Sequence, residues 1–180
     1  MIVCAGNSES FDFATPVGIG MVESAINTTR LALMEAPGYL LFVGTAGSYG
    51  NHKIFDIVSS KSSSNIELSF LQKKSYTPID NLIVSEDSSI SSSVIVNSSN
   101  YITTDEKLSK KMLSLKIAIE NMEFFSVMRT AQELNIPCGG IFIVTNYTNE
   151  DAHATFLQNH KEAMQRLDAH IRDLIAKGLV

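Results

Sequence analysis

The sequence alternates between short apolar runs and longer amphipathic stretches, and this alternation constrains the fold more than any other feature. The runs at residues 2–5, 39–43 and 139–145 are almost continuously apolar, which is typical of strands buried on both faces of a parallel sheet. Repeated alternation of strands with helices favours right-handed crossovers between parallel strands. The sequence therefore predicts a three-layer αβα sandwich, an α/β fold with a twisted, mostly parallel, mixed sheet. Further strands are predicted over residues 54–59, 94–97 and 115–119.

The predicted helices lie between these strands. Residues 21–35 carry apolar side chains with near-helical spacing and end shortly before Pro37. A second helix is predicted to begin at a cap supplied by Thr103 or Thr104. Two more helices are predicted over residues 122–134 and 150–177, with Asn149 as the cap of the last one.

A serine-rich stretch over residues 59–99 interrupts the regular pattern. It contains short apolar runs at residues 66–71 and 82–84, which predict a hairpin together with a mobile loop. No repeat accompanies these runs, so the stretch is not predicted to form a repeat array.

Length and charge limit the fold and the partners. A chain of 180 residues with 44% apolar side chains can bury one core and is short for two, so we predict a single domain over residues 1–180. The net charge is -5 and the lysines and arginines are scattered, which argues against binding to nucleic acid. Every apolar run is far shorter than the roughly 20 residues that span a bilayer. We therefore expect neither nucleic acid nor a membrane as a partner.

The first residues and the cysteines indicate the compartment and the chemistry. Asn7, Ser8 and Glu9 follow a short uncharged run, which is not the pattern of a signal peptide, so we expect a cytoplasmic protein. Cys4 and Cys138 lie in apolar surroundings, where a thiol usually serves as a small hydrophobic side chain. The sequence therefore predicts neither a metal site nor a redox site.

Three polar motifs occur where predicted strands end. Residues 44–48 read Gly-Thr-Ala-Gly-Ser, residues 121–123 read Asn-Met-Glu, and residues 144–146 read Val-Thr-Asn. Ligands bind at the carboxyl ends of the strands in open α/β sheets. We therefore expect these motifs to form one binding site.

Each motif has a functional and a structural interpretation. A glycine-rich turn over residues 44–47 offers backbone N–H groups to an oxyanion or a flat ring, or its glycines serve only the backbone. Glu123 offers a carboxylate that fits the two hydroxyls of a ribose, or it only stabilises a helix start. Asn146 can hydrogen-bond a 6-oxopurine, or it stabilises a turn. Tyr101 lies against a base, or it belongs to the core.

The order of these motifs resembles the nucleoside phosphorylase and nucleosidase superfamily, which includes purine nucleoside phosphorylases, uridine phosphorylases, methylthioadenosine nucleosidase and futalosine hydrolase. Residues 17–21 resemble the glycine-rich strand-to-helix turn of the family, and residues 44–47 resemble its turn that meets phosphate or base. Residues 122–123 resemble the ribose-binding Met-Glu pair, and residues 144–146 resemble the base-recognising segment. The resemblance implies a nucleoside-phosphorylase-like fold in a shortened member, and it is poor over residues 59–93.

The resemblance also implies a set of site residues. The catalytic groups are Glu9, as the general base for water, and Asn146, which stabilises the departing base. Thr45 and Gly20 bind water or phosphate. The ribose contacts are Glu123, Met122 and Met21, and the base contacts are Tyr101, Asn146, Ala46 and Gly47.

Two departures from the family pattern bear on the substrate and the nucleophile. Many members carry Ser-Asp where this chain has Thr145 and Asn146, and members with asparagine prefer 6-oxopurines, so the expected base is hypoxanthine or guanine. Phosphorolytic members bind phosphate through arginines, but Phe42 and Phe142 occupy two places where an arginine is expected. A phosphate dianion then lacks its strongest bidentate partner, which favours water as the nucleophile. The arginines of the chain are Arg30, Arg129, Arg166 and Arg172.

The resemblance implies an enzyme that cleaves the N-glycosidic bond of a purine nucleoside and releases the free base, with water or phosphate as the acceptor. Two alternatives stay open: a phosphate-dependent purine nucleoside phosphorylase, and a degenerate member that binds a nucleoside without cleaving it. No cofactor is implied apart from inorganic phosphate as a co-substrate of the phosphorylase alternative. The family also implies a homo-oligomer, either a dimer or a hexamer.

Overall fold

The computed structural model describes residues 1–86, 88–92 and 94–180. Within these residues, helices flank a nine-stranded mixed sheet. The strands are β1 (Ile2–Cys4), β2 (Thr15–Pro16), β3 (Leu40–Ser48), β4 (Ile57–Ser60), β5 (Ser62–Ser64), β6 (Leu82–Val84), β7 (Ile95–Ser98), β8 (Ile117–Asn121) and β9 (Cys138–Tyr147). The helices are α1 (Met21–Glu35), α2 (Leu68–Leu71), α3 (Glu106–Ser114), α4 (Phe124–Glu133) and α5 (Ala152–Ala176).

Strand β3 organises the sheet because it has neighbours along both edges. β9 runs parallel to it, from Leu40 opposite Cys138 to Ser48 opposite Tyr147. On the other edge, β1 pairs in parallel with the start of β3, and β8 pairs antiparallel with its last two residues. β7 and β5 continue in parallel from β8, and β2, β4 and β6 lie at the margins. The predicted mostly parallel, mixed sheet is confirmed.

Helices cover both faces of this sheet. On one face, Phe124 and Met128 of α4 pack against Phe42 of β3, and α1 packs on α4. On the other face, Leu167 of α5 packs against Val43 of β3. Phe42 and Val43 point to opposite faces because side chains alternate along a strand. The predicted three-layer arrangement is therefore confirmed.

The segment 44–48 is part of a strand rather than the turn that its glycines indicate. β3 continues through it and remains paired with β9. A register shift leaves Thr145 of β9 as an extra residue, which is a β-bulge. A Cβ added to Gly47 would lie 3.0 Å from Thr148 Cγ2 and 3.2 Å from Asn146 Nδ2. A side chain at this position would therefore require both neighbouring side chains to move by a few tenths of an ångström.

Helix α3 is capped by a residue other than the expected threonines. The Asp105 carboxylate accepts the backbone N–H groups of Lys107 and Leu108, at 2.7 and 3.0 Å. Thr103 instead donates its backbone N–H and its hydroxyl to Glu120. The prediction of Thr103 or Thr104 as the cap was wrong, because a carboxylate one residue further along satisfies the helix N-terminus.

Helices α4 and α5 both begin later than the sequence predicts. The side chain of Asn121 precedes α4, and its Oδ1 accepts the N–H groups of Glu123 and Phe124 at 2.9 Å each. α5 begins after Asp151, and the N–H of Asp151 donates a hydrogen bond to Asn149 Oδ1 at 3.1 Å. Asn149 therefore precedes the cap position instead of occupying it.

Serine hydroxyls hold β5 in place within the serine-rich stretch. Ser63 Oγ donates to Val96 O at 2.8 Å, and Ser64 Oγ donates to Asn97 Oδ1 at 3.0 Å. The prediction of a hairpin from the runs 66–71 and 82–84 was wrong: the first run contains α2, and β6 pairs antiparallel with β5 instead. Two residues of the stretch, at positions 87 and 93, are outside the described residues.

Both cysteines lie in the interior of the protein. Cys4 and Cys138 are buried in different hydrophobic clusters. Burial raises the pKa of the Cys138 thiol to about 12.

In the part of the chain that the structure describes, no helix has the length and apolar character needed to cross a membrane.

Candidate active site

A cavity of about 310 Å³ opens beside the last residues of β3, β8 and β9. The loop after β1, the segment after β7 and the first turns of α5 complete its wall. The three sequence motifs therefore converge on one hollow. The predicted site residues that line it are Glu9, Thr45, Ala46, Gly47, Tyr101, Met122, Glu123 and Asn146.

Glu9 and Thr45 are paired in this wall. Thr45 N–H donates to Glu9 Oε2 at 2.9 Å, and Thr45 Oγ1 donates to Glu9 Oε1. Thr45 is buried on β3, and Glu9 is half-buried in the loop after β1. The donors of Thr45 that the sequence assigned to water or phosphate thus bind a carboxylate of the chain itself.

Glu123 lies between β8 and α4, and its side chain is only 3% exposed. Gly20 N–H, at the start of α1, donates to Glu123 Oε1 at 2.9 Å. Burial raises the pKa of Glu123 to about 7, the Gly20 hydrogen bond opposes this shift, and the charge of Glu9 adds to it. Such a carboxylate is poorly hydrated, so hydroxyl donors from a ligand would stabilise its ionised form.

Gly20 and Met21 do not line the cavity. Gly20 has a φ of 82°, a conformation that glycine adopts readily, and this directs its N–H to Glu123. Met21 N–H donates to Asn100 Oδ1 at 2.8 Å, and the Met21 sulfur lies 3.7 Å from Asn65 Nδ2. The structure therefore places Gly20 behind Glu123 as a supporting donor and leaves Met21 outside the wall.

Asn146 is 6% exposed, and its carboxamide has a defined orientation. Thr145 Oγ1 donates to Asn146 Oδ1 at 2.8 Å, and Asn146 Nδ2 donates to Tyr147 O at 3.1 Å. Within the described residues, these bonds leave one amide hydrogen of Asn146 for a ligand. Thr145 and Asn146 both line the cavity because the β-bulge breaks the alternation of side chains.

Tyr101 and Met122 occupy different depths of the cavity. Tyr101 is 76% exposed, so it lies at the mouth and is not a core residue. Met122 is half-buried beside Glu123. An aromatic ring at the mouth and a thioether further in provide apolar surface on which a ring or a sugar can pack.

Glu120 and Phe156 also line the cavity, although the sequence analysis assigned them no role. Glu120 accepts hydrogen bonds from Thr103 N–H, Thr103 Oγ1 and Tyr49 Oη, at 2.9, 2.7 and 2.7 Å. Burial raises its pKa, and the Thr103 and Tyr49 bonds oppose the shift. A glutamate in an otherwise apolar strand was the available signal for Glu120. The signal for Phe156 was an aromatic side chain near the start of the helix that follows Asn146.

Three carboxylates and one imidazole, that of His153, line the cavity. Glu9, Glu120 and Glu123 line it, and no lysine or arginine of the described residues does so. Phe42 and Phe142 are fully buried in the core, with ring centroids 5.8 Å apart. A phosphate dianion would therefore meet like charges in this wall without a guanidinium to offset them.

Solved structures share this fold. The chain matches a mutant of the nucleosidase MTAN from Helicobacter pylori with 5′-methylthioadenosine in its active site, at 16% identity and a TM-score of 0.80, over 98% of this chain and 97% of that one. It matches a futalosine hydrolase mutant from the same organism at 18% identity and a TM-score of 0.82, over 98% and 97%. It also matches a 5′-methylthioadenosine/S-adenosylhomocysteine nucleosidase from Colwellia psychrerythraea in complex with adenine. The identity is 16% and the TM-score 0.74, over 92% of this chain and 89% of that one.

Comparison by sequence gives fewer matches than comparison by structure. No curated protein sequence matches the chain. A sequence model of the phosphorylase superfamily, however, matches residues 80–176, which is more than half of the chain and includes β8, α4, β9 and α5. Together with the shared fold, this match establishes that the chain belongs to the phosphorylase superfamily.

Proposed function

We propose that this protein hydrolyses the N-glycosidic bond of a purine nucleoside, with water rather than phosphate as the acceptor. One observation carries the choice of nucleophile: the donors that the family resemblance assigns to phosphate are already bound to carboxylates. Thr45 holds Glu9, and Gly20 holds Glu123. Phosphate would have to displace these carboxylates and would then lie beside their charges.

Glu9 is the proposed general base. Its carboxylate is half-buried, lines the cavity and is fixed by two donors of Thr45. Each oxygen of an ionised carboxylate has a second lone pair, so Glu9 can also accept a hydrogen bond from a water molecule. As the oxygen of that water bonds to the anomeric carbon, its proton passes to Glu9.

Glu123 is the proposed ribose contact. The two neighbouring hydroxyls of a ribose can donate to its carboxylate, and hydrogen bonds to an ionised acceptor are roughly twice as strong as neutral ones. Met122 packs beside the sugar. Holding the sugar in this way places the anomeric carbon against the water, and such positioning supplies much of the acceleration in reactions of this kind.

Asn146 is the proposed base contact. The carbon–nitrogen bond breaks with its electron pair going to the purine, and the remaining amide hydrogen of Asn146 donates to the ring as negative charge develops there. The purine anion then takes a proton from solvent, and Glu9 releases to solvent the proton that it accepted from the water. A 6-oxopurine offers acceptors at N7 and O6 for this donor. Tyr101 and Phe156 provide aromatic surface for the base, with Ala46 and Gly47 on the strand beside it.

The protein is also proposed to act as a homo-oligomer in which a second copy covers the mouth of the cavity. Val22, Ile26 and Leu33 are exposed by 65, 55 and 68%, and their spacing puts them on one face of α1. Ile19, which lies just before this helix, is 45% exposed. Ile19 also lines the cavity, so this apolar face is continuous with the mouth. A second copy bound there would remove both surfaces from water.

A panel of nucleosides tests the reaction. Inosine, guanosine, adenosine and 5′-methylthioadenosine are each incubated with the protein, with and without inorganic phosphate, and base, ribose and ribose 1-phosphate are separated by chromatography. We expect free hypoxanthine or guanine and free ribose without phosphate. Ribose 1-phosphate formed only with phosphate would contradict the proposal in favour of a phosphorylase, and binding without product would favour a non-catalytic protein.

Glu123→Ala tests the assignment of the ribose contact. We expect kcat/KM to fall by about 10²–10³-fold, because a preorganised charged contact to the transition state is lost. Glu150→Ala is the matched control, since Glu150 is exposed and does not line the cavity. Activity of Glu123→Ala equal to that of the control would contradict the assignment.

A further inference from the structure

The side chain of Asn121, the last residue of β8, lines the cavity and makes three hydrogen bonds inside the site. Its Nδ2 donates to Thr45 O at 3.1 Å, across the sheet to β3. Its Oδ1 accepts the N–H groups of Glu123 and Phe124, at 2.9 Å each. Asn121 is 8% exposed, so these bonds are sheltered from water.

These bonds connect two groups that are far apart in sequence. Thr45, whose carbonyl Asn121 binds, holds the carboxylate of Glu9. Glu123, whose N–H Asn121 binds, presents its own carboxylate to the same cavity. One carboxamide therefore links the Glu9–Thr45 pair to Glu123.

A carboxamide is the side chain that this position requires. The bond to Thr45 O needs a donor, and the two bonds from α4 need an acceptor, which asparagine provides at the correct length. Aspartate retains the acceptor and has no donor when ionised. Serine can still cap a helix but is too short to reach both partners.

Ser98 also hydrogen-bonds the start of α4, and it can serve as a control for the capping role of Asn121. Ser98 on β7 lies opposite Asn121 in the sheet, and its Oγ accepts Phe125 N–H at 3.0 Å. Ser98 thus caps the same helix, yet it does not bind Thr45 and does not line the cavity. Removing its hydroxyl perturbs the helix start without touching the connection between the two carboxylates.

We propose that Asn121 is a positioning residue, which holds the general base and the ribose contact at the separation that the cleavage reaction requires. This inference rests on the proposed function. Asn121 touches neither the sugar nor the water in this scheme. It acts through Thr45 on Glu9 and through the backbone on Glu123.

Three variants test the proposal: Asn121→Asp, Asn121→Ser and Ser98→Ala. We expect kcat to fall by about 10- to 100-fold in both Asn121 variants, since a displacement of about 1 Å can cost 10²-fold in rate, while KM changes by less than about threefold. Ser98→Ala should keep kcat within about twofold of the wild type. Thermal unfolding of all three variants shows whether the helix start is equally perturbed.

The outcomes separate positioning from capping. Wild-type kcat in Asn121→Asp would overturn the proposal, because that variant retains the cap, loses the bond to Thr45 O and adds a negative charge beside Glu123. A loss of kcat in Ser98→Ala as large as that in Asn121→Ser would also overturn it, since a damaged helix start would then explain both. Absence of turnover by the wild type would contradict the proposed function itself.

Discussion

At the scale of single residues, the site is dominated by carboxylates that are bound to neutral donors. Glu9 is held by Thr45, Glu120 by Thr103 and Tyr49, and Glu123 by the amide of Gly20. These donors carry no positive charge and so do not neutralise the carboxylates. The net charge of the cavity wall therefore depends on which of the carboxylates are protonated at a given pH. Glu123 is the group whose pKa is moved into the neutral range.

The stability of the protein should report the pKa of Glu123. Its pKa is about 7 in the folded chain against an ordinary value of 4.5, so the folded state binds the proton more tightly, and the contribution of Glu123 to the free energy of unfolding falls as the pH rises from 4.5 through 7. Glu123→Gln removes this titration. We expect the variant to be more stable than the wild type by about 3 kcal/mol at pH 8 and nearly equal to it at pH 4.

Urea denaturation at the two pH values measures this difference. Glu150→Gln is the control, because Glu150 is exposed and its replacement should change stability little at either pH. An equal effect of Glu123→Gln at pH 4 and pH 8 would show that the pKa of Glu123 is the same in the folded and unfolded chain, and would contradict the raised pKa.

The same pKa predicts the acidic limb of the activity profile. Only the ionised form of Glu123 accepts hydrogen bonds from both ribose hydroxyls, so kcat/KM should rise with pH and level off above about 7. Initial rates from pH 5 to 9 with a subsaturating nucleoside measure this. A profile that is flat between pH 5 and 7 would contradict the role of an ionised Glu123.

At the scale of elements, the contact between α4 and the two central strands carries much of the core. Phe124, at the first position of α4, lies 5.1 Å from Phe142 of β9 and 6.0 Å from Phe42 of β3, between ring centroids. All three side chains are fully buried. Phe42 and Phe142 thus join the strands to the helix and do not line the cavity.

Phe124→Ala should therefore lower the free energy of unfolding by about 3–5 kcal/mol, as expected when a large buried side chain leaves a cavity. Phe70→Ala is the control, since Phe70 of α2 is 40% exposed, and its effect should be below about 1 kcal/mol. Chemical denaturation of both variants measures the difference. Similar losses for the two would show that the aromatic cluster is not a principal part of the core.

Local patterns predicted the elements well and failed where distant neighbours decide the structure. The bounds of α1 agree with the prediction because its apolar spacing and the following Pro37 are both local signals. The segment 44–48 was mispredicted, because glycines that permit close contacts to Asn146 and Thr148 look the same in sequence as glycines that make a turn. The Glu9–Thr45 pair was equally inaccessible, since its partners are 36 positions apart.

At the scale of the whole molecule, the exposed apolar face of α1 is the feature that a single chain leaves unexplained. Ile26 lies near the middle of that face and is 55% exposed. If a second copy covers it, a charge at this position would be buried without a partner. Ile26→Lys should therefore convert the oligomer to single chains.

Light scattering coupled to size-exclusion chromatography measures the mass in solution. Leu157→Lys is the matched control, because Leu157 is 63% exposed on α5 and does not belong to this face. We expect Ile26→Lys to have the mass of one chain, and the wild type and the control to have the same multiple of it. A wild type with the mass of one chain would contradict the proposed assembly.

Carboxylates accept the hydrogen bonds of Thr45 and Gly20, and this bears on whether the free energy of the glycosidic bond is kept when the bond is cleaved. Phosphorolysis keeps the energy of the glycosidic bond in a sugar phosphate and can run backwards to rebuild a nucleoside. Transfer to water dissipates that energy, and the solvent is never depleted. The proposed transfer to water would therefore make the cleavage irreversible in practice, and any reuse of the ribose would first require a separate kinase.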